Sequence, residues 1–137
     1  MMEKKYEGRE RVRNGQATIF RDPIQKADKF EHEGGKILKI YRDGKLLYKV
    51  GKRYGIKPGI TSYVTIVHLE VDANPGRMTL EEAAREGFRS QLLFKAAFEG
   101  EYGENALWRP AWRVVCERKV IKARKPTSPR SPALGTT

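Results

Sequence analysis

Several stretches of this chain alternate apolar and polar residues with a period of two, the signature of half-buried β-strands. Lys36 to Tyr41 reads Lys, Ile, Leu, Lys, Ile, Tyr, and Leu46 to Val50 reads as its return strand. Between them Arg42-Asp43-Gly44-Lys45 holds the Asp-Gly pair that suits a two-residue type I′ turn. Thr61 to Val71 is rich in β-branched residues and is the strongest strand signal in the chain. Ala111 to Val120 sets Trp112, Val114 and Cys116 on one face and Arg113, Val115 and Glu117 on the other. Shorter strands are expected at Gln16–Phe20 and at Arg53–Ile56, with a turn at Pro58-Gly59.

Helical spacing is rarer. Asp22-Pro23 looks like a helix start, and Ile24, Ala27 and Phe30 would share one face until Gly34-Gly35 ends it. Thr79-Leu80-Glu81-Glu82 forms a capping box for a short helix ending at Gly87. Ser90 caps a second helix carrying Leu92, Leu93, Ala96 and Ala97. Strands joined by tight turns pair antiparallel. The expected fold is therefore α+β: a small, mostly antiparallel β-barrel of five or six strands with about three helices.

Length adds that 137 residues make one domain. Residues 1–14 read as a flexible, charged lead-in, 15–121 as the domain, and 122–137 as a disordered tail. That tail holds four basic residues, three prolines and five Ser or Thr. No apolar run approaches the roughly 20 residues of a membrane helix. The charged start, Met1-Met2-Glu3-Lys4-Lys5, does not read as a secretory signal. A single cysteine, Cys116, precludes an intramolecular disulfide, and a cytoplasmic setting is expected.

The net charge of +11 is unevenly spread. Residues 118–137 hold six basic residues and no acidic one, and residues 1–14 hold five basic and three acidic, which leaves +3 for the core. Within the core, residues 36–57 carry eight Lys or Arg against Asp43 alone. Such a density attracts polyanions by counterion release, or forms a solvated sheet face. Metal and nucleophile chemistry find little support. His32 and His68 lie in different elements, and Cys116 in a strand reads as a small buried hydrophobe. Gly34-Gly35-Lys36 lacks the spacing of a phosphate-binding loop. No metal or other cofactor is expected.

Four segments, in order, resemble the ASCH domain of the PUA-like superfamily, over roughly residues 16–118. They are Gly34-Gly35-Lys36-Ile37-Leu38-Lys39-Ile40, the glycine-bounded strand from Val50 to the Pro58-Gly59 turn, Leu80-Glu81-Glu82-Ala83-Ala84-Arg85-Glu86-Gly87-Phe88-Arg89-Ser90, and the closing strand Trp112–Glu117. The third, an acidic-Ala-x-x-Glu-Gly-Phe-x-Ser turn, is the most specific. The resemblance implies a barrel associated with RNA and modified nucleosides. Some members remove an acyl group from N4 of cytidine with a Lys, a Thr three residues later, and the Glu of the Gly-Phe turn. Those positions fall on Lys36, Lys39 and Glu86. A lysine at 39 cannot supply the hydroxyl nucleophile, which tilts the site from catalysis to binding.

The expected function is RNA or nucleotide binding, with single-stranded DNA as a further fitting polyanion, through Lys36, Lys39, Tyr41, Arg42, Lys52, Arg53, Tyr54, Lys57 and Arg89. Tyr41 and Tyr54, flanked by cations, are the candidates to stack a base. A hydrolase of N4-acylated cytidine or a ribonuclease using Lys36 and Glu86 is the second reading. It requires the two side chains to share a pocket. A protein-interaction module whose basic tail meets an acidic partner is the third. Pattern and composition leave the oligomeric state open.

Overall fold

The computed structural model describes residues 6–55 and 62–120. Seven strands form one antiparallel sheet: β1 (Ile19–Pro23), β2 (Lys29–Glu33), β3 (Lys36–Arg42), β4 (Lys45–Lys49), β5 (Arg53–Gly55), β6 (Ser62–Asp72) and β7 (Ala111–Val120). The hydrogen-bonded path runs β1-β7-β6-β3-β2, with β4 added to β3 and β5 to β6. Three helices accompany it: α1 (Gly8–Arg13), α2 (Leu80–Arg85) and α3 (Gln91–Tyr102). This is the expected α+β, barrel-like class, with the sheet left open between its end strands β1 and β2. Side chains bridge that opening. Arg42 of β3 donates to Asp22 and Asp28, and the Trp112 indole donates to Asp28 at 2.8 Å. No helix among the described residues is long and apolar enough to cross a membrane.

The long ladder between β6 and β7 is the spine of the sheet, running from Ser62↔Val120 to Asp72↔Ala111 with a bulge between Ile66 and His68. Its inward residues Val64, Ile66, Leu69, Val114 and Cys116 are buried with Phe20, Ile40 and Tyr48 in the core. Asp43 and Gly44 take the positive φ angles, 56° and 78°, of the expected β3–β4 turn.

Three expectations are corrected. The segment after Pro23 is not a helix but a turn followed by the β2–β3 hairpin. Asp28 closes the turn by accepting the Gln25 N–H at 2.9 Å, and Gly34 and Gly35, both at positive φ, reverse the chain. The apolar triplet at 24, 27 and 30 has helical spacing, but Lys29–Glu33 pairs with β3 along its whole length. Pairing outweighs so short a helical pattern. Residues 6–14 are not a flexible lead-in either. They include α1, and Tyr6 is fully buried among Phe88, Phe94, Phe98 and Tyr102. Gly8 makes this fit: a Cβ there would lie 2.5 Å from the Tyr6 ring and 2.7 Å from the Phe20 Cβ. Finally, α3 buries Phe94, Ala97 and Phe98, while Leu92 and Leu93 are exposed. The tail 122–137 lies outside the described residues, as do Pro58-Gly59.

The two helix caps form as read. Thr79 Oγ accepts the Glu82 N–H and Ser90 Oγ accepts the Leu93 N–H, each at 3.1 Å. The Glu82 carboxylate does not reach back to its cap; it takes hydrogen bonds from Arg113 instead.

Candidate nucleic-acid interface

The basic residues separate into two groups once their partners are known. The first group is spent inside the fold. Arg42 donates from Nε and one terminal nitrogen to the two Asp28 oxygens, each at 2.9 Å, and also reaches Asp22 and the Pro23 carbonyl. The Asp28 hydrogen bonds, with Asp22, raise its pKa further despite burial. Asp28 answers in kind: burial would raise its pKa, but Arg42, the Gln25 N–H and the Trp112 indole outweigh burial and lower it. Arg21, only 3% exposed, contacts Asp72 at 2.7 Å, Glu82 at 3.7 Å and Glu86.

Glu86 belongs to this internal group. It is 1% exposed, accepts the Tyr6 hydroxyl at 2.6 Å and pairs with Arg21. The Tyr6 hydroxyl in turn accepts the Arg21 backbone N–H. Burial pushes the Tyr6 pKa far above its usual value, so the phenol is a fixed donor to the carboxylate. Lys36 stands elsewhere, exposed at the start of β3 beside the Gly34-Gly35 turn, its Cα opposite Glu33. It makes no ion pair among the described residues, and Glu86 is paired by Arg21 instead. The two residues carried over for catalysis are therefore not partners.

Other expected site residues are partly engaged. Tyr41 donates its hydroxyl to Glu31 at 2.9 Å, and Lys39 lies 3.9 Å from the same carboxylate. On the sheet Lys39 sits between Glu31 of β2 and Lys49 of β4. Arg89 is exposed in the α2–α3 turn, beside a small cavity of about 170 Å³ that it lines with Arg11, Gly87, Phe88 and Leu93. Lys57 lies outside the described residues.

The second group is exposed and rests on aromatic rings. Among the described residues β5 is an edge strand, paired to β6 alone, with Arg53 opposite Thr65 and Tyr54 opposite Val64. Lys52 Nζ lies 5.7 Å from the Tyr54 ring centre, and the Arg53 guanidinium lies 4.6 Å from that of Tyr63. Alternation puts these two pairs on opposite faces of the β5–β6 ribbon. From α1, the Arg9 guanidinium lies 5.7 Å over the Tyr48 ring. Burial disfavours the Arg9 charge, but Tyr48, Tyr54 and Asp22 outweigh it and raise its pKa. None of Arg9, Lys52 and Arg53 forms an ion pair with a described residue. Tyr54 is half-buried, which raises its pKa, while the nearby Arg9 and Arg13 charges lower it in part.

Arg9, whose guanidinium lies over the Tyr48 ring, was not among the expected residues because its segment reads as a lead-in. A cavity beside Arg9 has a different character. It measures about 510 Å³ between α1, β1, β4 and α3, and Glu7, Glu10, Asp22 and Glu101 line it along with Arg9 and Arg21. With Arg21 already paired, carboxylates prevail there, so a phosphate is better served outside it, on the β5 edge. Three or more His, Cys, Asp or Glu grouped as metal ligands are absent among the described residues.

Compared with protein-family models, with curated proteins and with solved structures, the chain matches none.

Proposed function

We propose that this protein is an ASCH-like, PUA-superfamily domain that binds RNA or a nucleotide along the β5 edge, with Lys49, Lys52 and Arg53 facing phosphates. One observation carries the reading. Lys52 and Arg53 lie on tyrosine rings and form no ion pair with a described carboxylate, whereas Arg21, Arg42 and Arg113 do. Cations interleaved with aromatic rings give a strand of nucleic acid both charge neutralisation and surfaces for its bases to stack on. The motif order in the sequence and the antiparallel α+β fold support the same reading.

The test is a salt series with a short single-stranded RNA, followed by fluorescence anisotropy. Three phosphate contacts predict a fall in affinity of about 20-fold between roughly 50 and 200 mM salt, at about 0.7 in slope per contact. An affinity that does not change with salt overturns the reading. A matching single-stranded DNA tests whether a 2′-hydroxyl is read.

A further inference from the structure

One turn sets two lysines side by side. In Lys49-Val50-Gly51-Lys52 the Lys52 N–H donates to the Lys49 carbonyl at 3.0 Å, and Gly51 takes a φ of 97°. This is a β-turn whose third position needs a positive φ, and such a turn holds its first and last Cα atoms within about 7 Å. The backbone around it is fixed. The Val50 N–H donates to the Leu38 carbonyl at 3.0 Å, the Gly51 N–H to the Ile66 carbonyl at 2.7 Å, and the Ile66 N–H to the Lys52 carbonyl at 2.9 Å. Lys52 then leads directly into β5.

A bulge brings an apolar residue to the same place. Tyr41 of β3 stands opposite Leu46 and Ile40 opposite Tyr48, so Leu47 is an extra residue in β4. The extra residue shifts the alternation by one. Leu47 is half-buried and Tyr48 buried, while Leu46 and Lys49 are both exposed. Leu46, Lys49, Val50, Gly51 and Lys52 line a cavity of about 410 Å³. The two lysines are its only charged lining residues, and neither has a carboxylate partner among the described residues. Lys39, across the ladder from Lys49, does have one, with Glu31 at 3.9 Å. Leu46 and Val50 make the apolar wall.

The charge count says what fits. Two ammonium groups on one short turn call for two negative charges on one compact group. A phosphate monoester carries about −1.5 to −2 at neutral pH and offers three strong acceptor oxygens. An internal phosphodiester carries a single charge and has chain on both sides. An apolar wall beside the lysines suits the carbon-bearing body to which a monoester is attached.

We infer that Lys49 and Lys52 hold a terminal phosphate monoester of an RNA or a nucleotide in this cavity, with Leu46 and Val50 against the adjoining ribose. The inference rests on the nucleic-acid reading for the larger ligand and adds that the β5 edge grips a strand by its end.

The experiment uses the full chain and one short RNA in three forms: 5′-phosphorylated, 3′-phosphorylated and without a terminal phosphate. Fluorescence anisotropy gives the three affinities, and calorimetry compares uridine monophosphate with uridine. The wild type should bind one phosphorylated form about tenfold more tightly than the unphosphorylated RNA, the size of one charge-assisted contact. It should bind uridine monophosphate in preference to uridine. The double variant Lys49→Gln, Lys52→Gln should lose both preferences. The wild-type comparison keeps the test valid if that variant fails to fold.

The outcomes separate the two ideas. Equal affinity for all three forms, with a steep salt response, overturns the terminal-phosphate site and leaves the RNA reading in place. A preference that persists in the folded double variant overturns the assignment to Lys49 and Lys52. Uridine monophosphate bound in preference to uridine, with no RNA form bound, supports the site and removes the RNA reading. Binding of none of these probes removes both.

Discussion

Arg42 and Arg53 stand eleven residues apart in the same basic stretch, and they do opposite things. Arg42 is clamped between two aspartates and the Pro23 carbonyl, bridging the gap between the ends of the sheet. Arg53 lies on the Tyr63 ring at an edge strand with no carboxylate partner. The same division runs through the molecule. Arg21, Arg42 and Arg113 hold the fold together, while Lys52 and Arg53 lie on tyrosine rings of the β5–β6 ribbon without a described ion-pair partner. A basic residue attracts a polyanion only when the fold has not already supplied its counter-charge, so the density of Lys and Arg along the chain overstates the binding surface.

The largest effect should come from the internal side of this comparison. Glu86→Gln removes the partner of a buried guanidinium and should destabilise the protein by about 3 kcal/mol in urea unfolding. That is the low end for breaking a buried pair, because Asp72 and Glu82 still hold Arg21. A neutral or stabilising outcome would instead mark Glu86 as a residue kept at a cost to stability, and would return it to the candidates for chemistry.

Asp28→Asn comes next, at about 1–3 kcal/mol near neutral pH, since it weakens the hydrogen bonds from Arg42 and Trp112. Its sign with pH is definite. Arg42, the Gln25 N–H and the Trp112 indole hold the Asp28 carboxyl below its ordinary pKa, so its contribution is complete above the ordinary carboxylate range and is lost as pH falls through the folded value. Stability curves of wild type and variant should therefore run parallel at neutral pH and converge only on the acid side. Convergence as pH rises instead would show that the carboxylate is not held by these cations.

The smallest stability effect should come from the exposed side. Lys52→Glu and Arg53→Glu should leave unfolding within about 0.5 kcal/mol of wild type. The same pair of substitutions should weaken RNA binding more than tenfold in anisotropy titrations. If they destabilise as much as Glu86→Gln does, the division between structural and free cations is wrong.

Cys116 offers a separate check on the core. Burial pushes its thiol pKa up to about 12, so a thiol reagent at pH 8 should label it only after unfolding.

Much of the fold was legible in local pattern. The β3–β4 turn, the strand Ala111–Val120 and the caps at Thr79 and Ser90 follow from short-range chemistry, and they form where that chemistry puts them. Trp112 and Cys116 are buried on the expected face for the same reason. What local pattern could not carry was partnership between distant residues. Whether Phe30 lies on a helix or a strand depended on whether Lys29–Glu33 finds β3 to pair with. The fate of Glu86 depended on Tyr6, eighty positions away, and on Arg21. Residue types and their spacing determine that this chain has a surplus of cations and a tyrosine near many of them. Only the tertiary structure decides which cations are neutralised, because counter-charges and rings reach them from elements far apart in the chain, and a Coulomb interaction depends on distance in space.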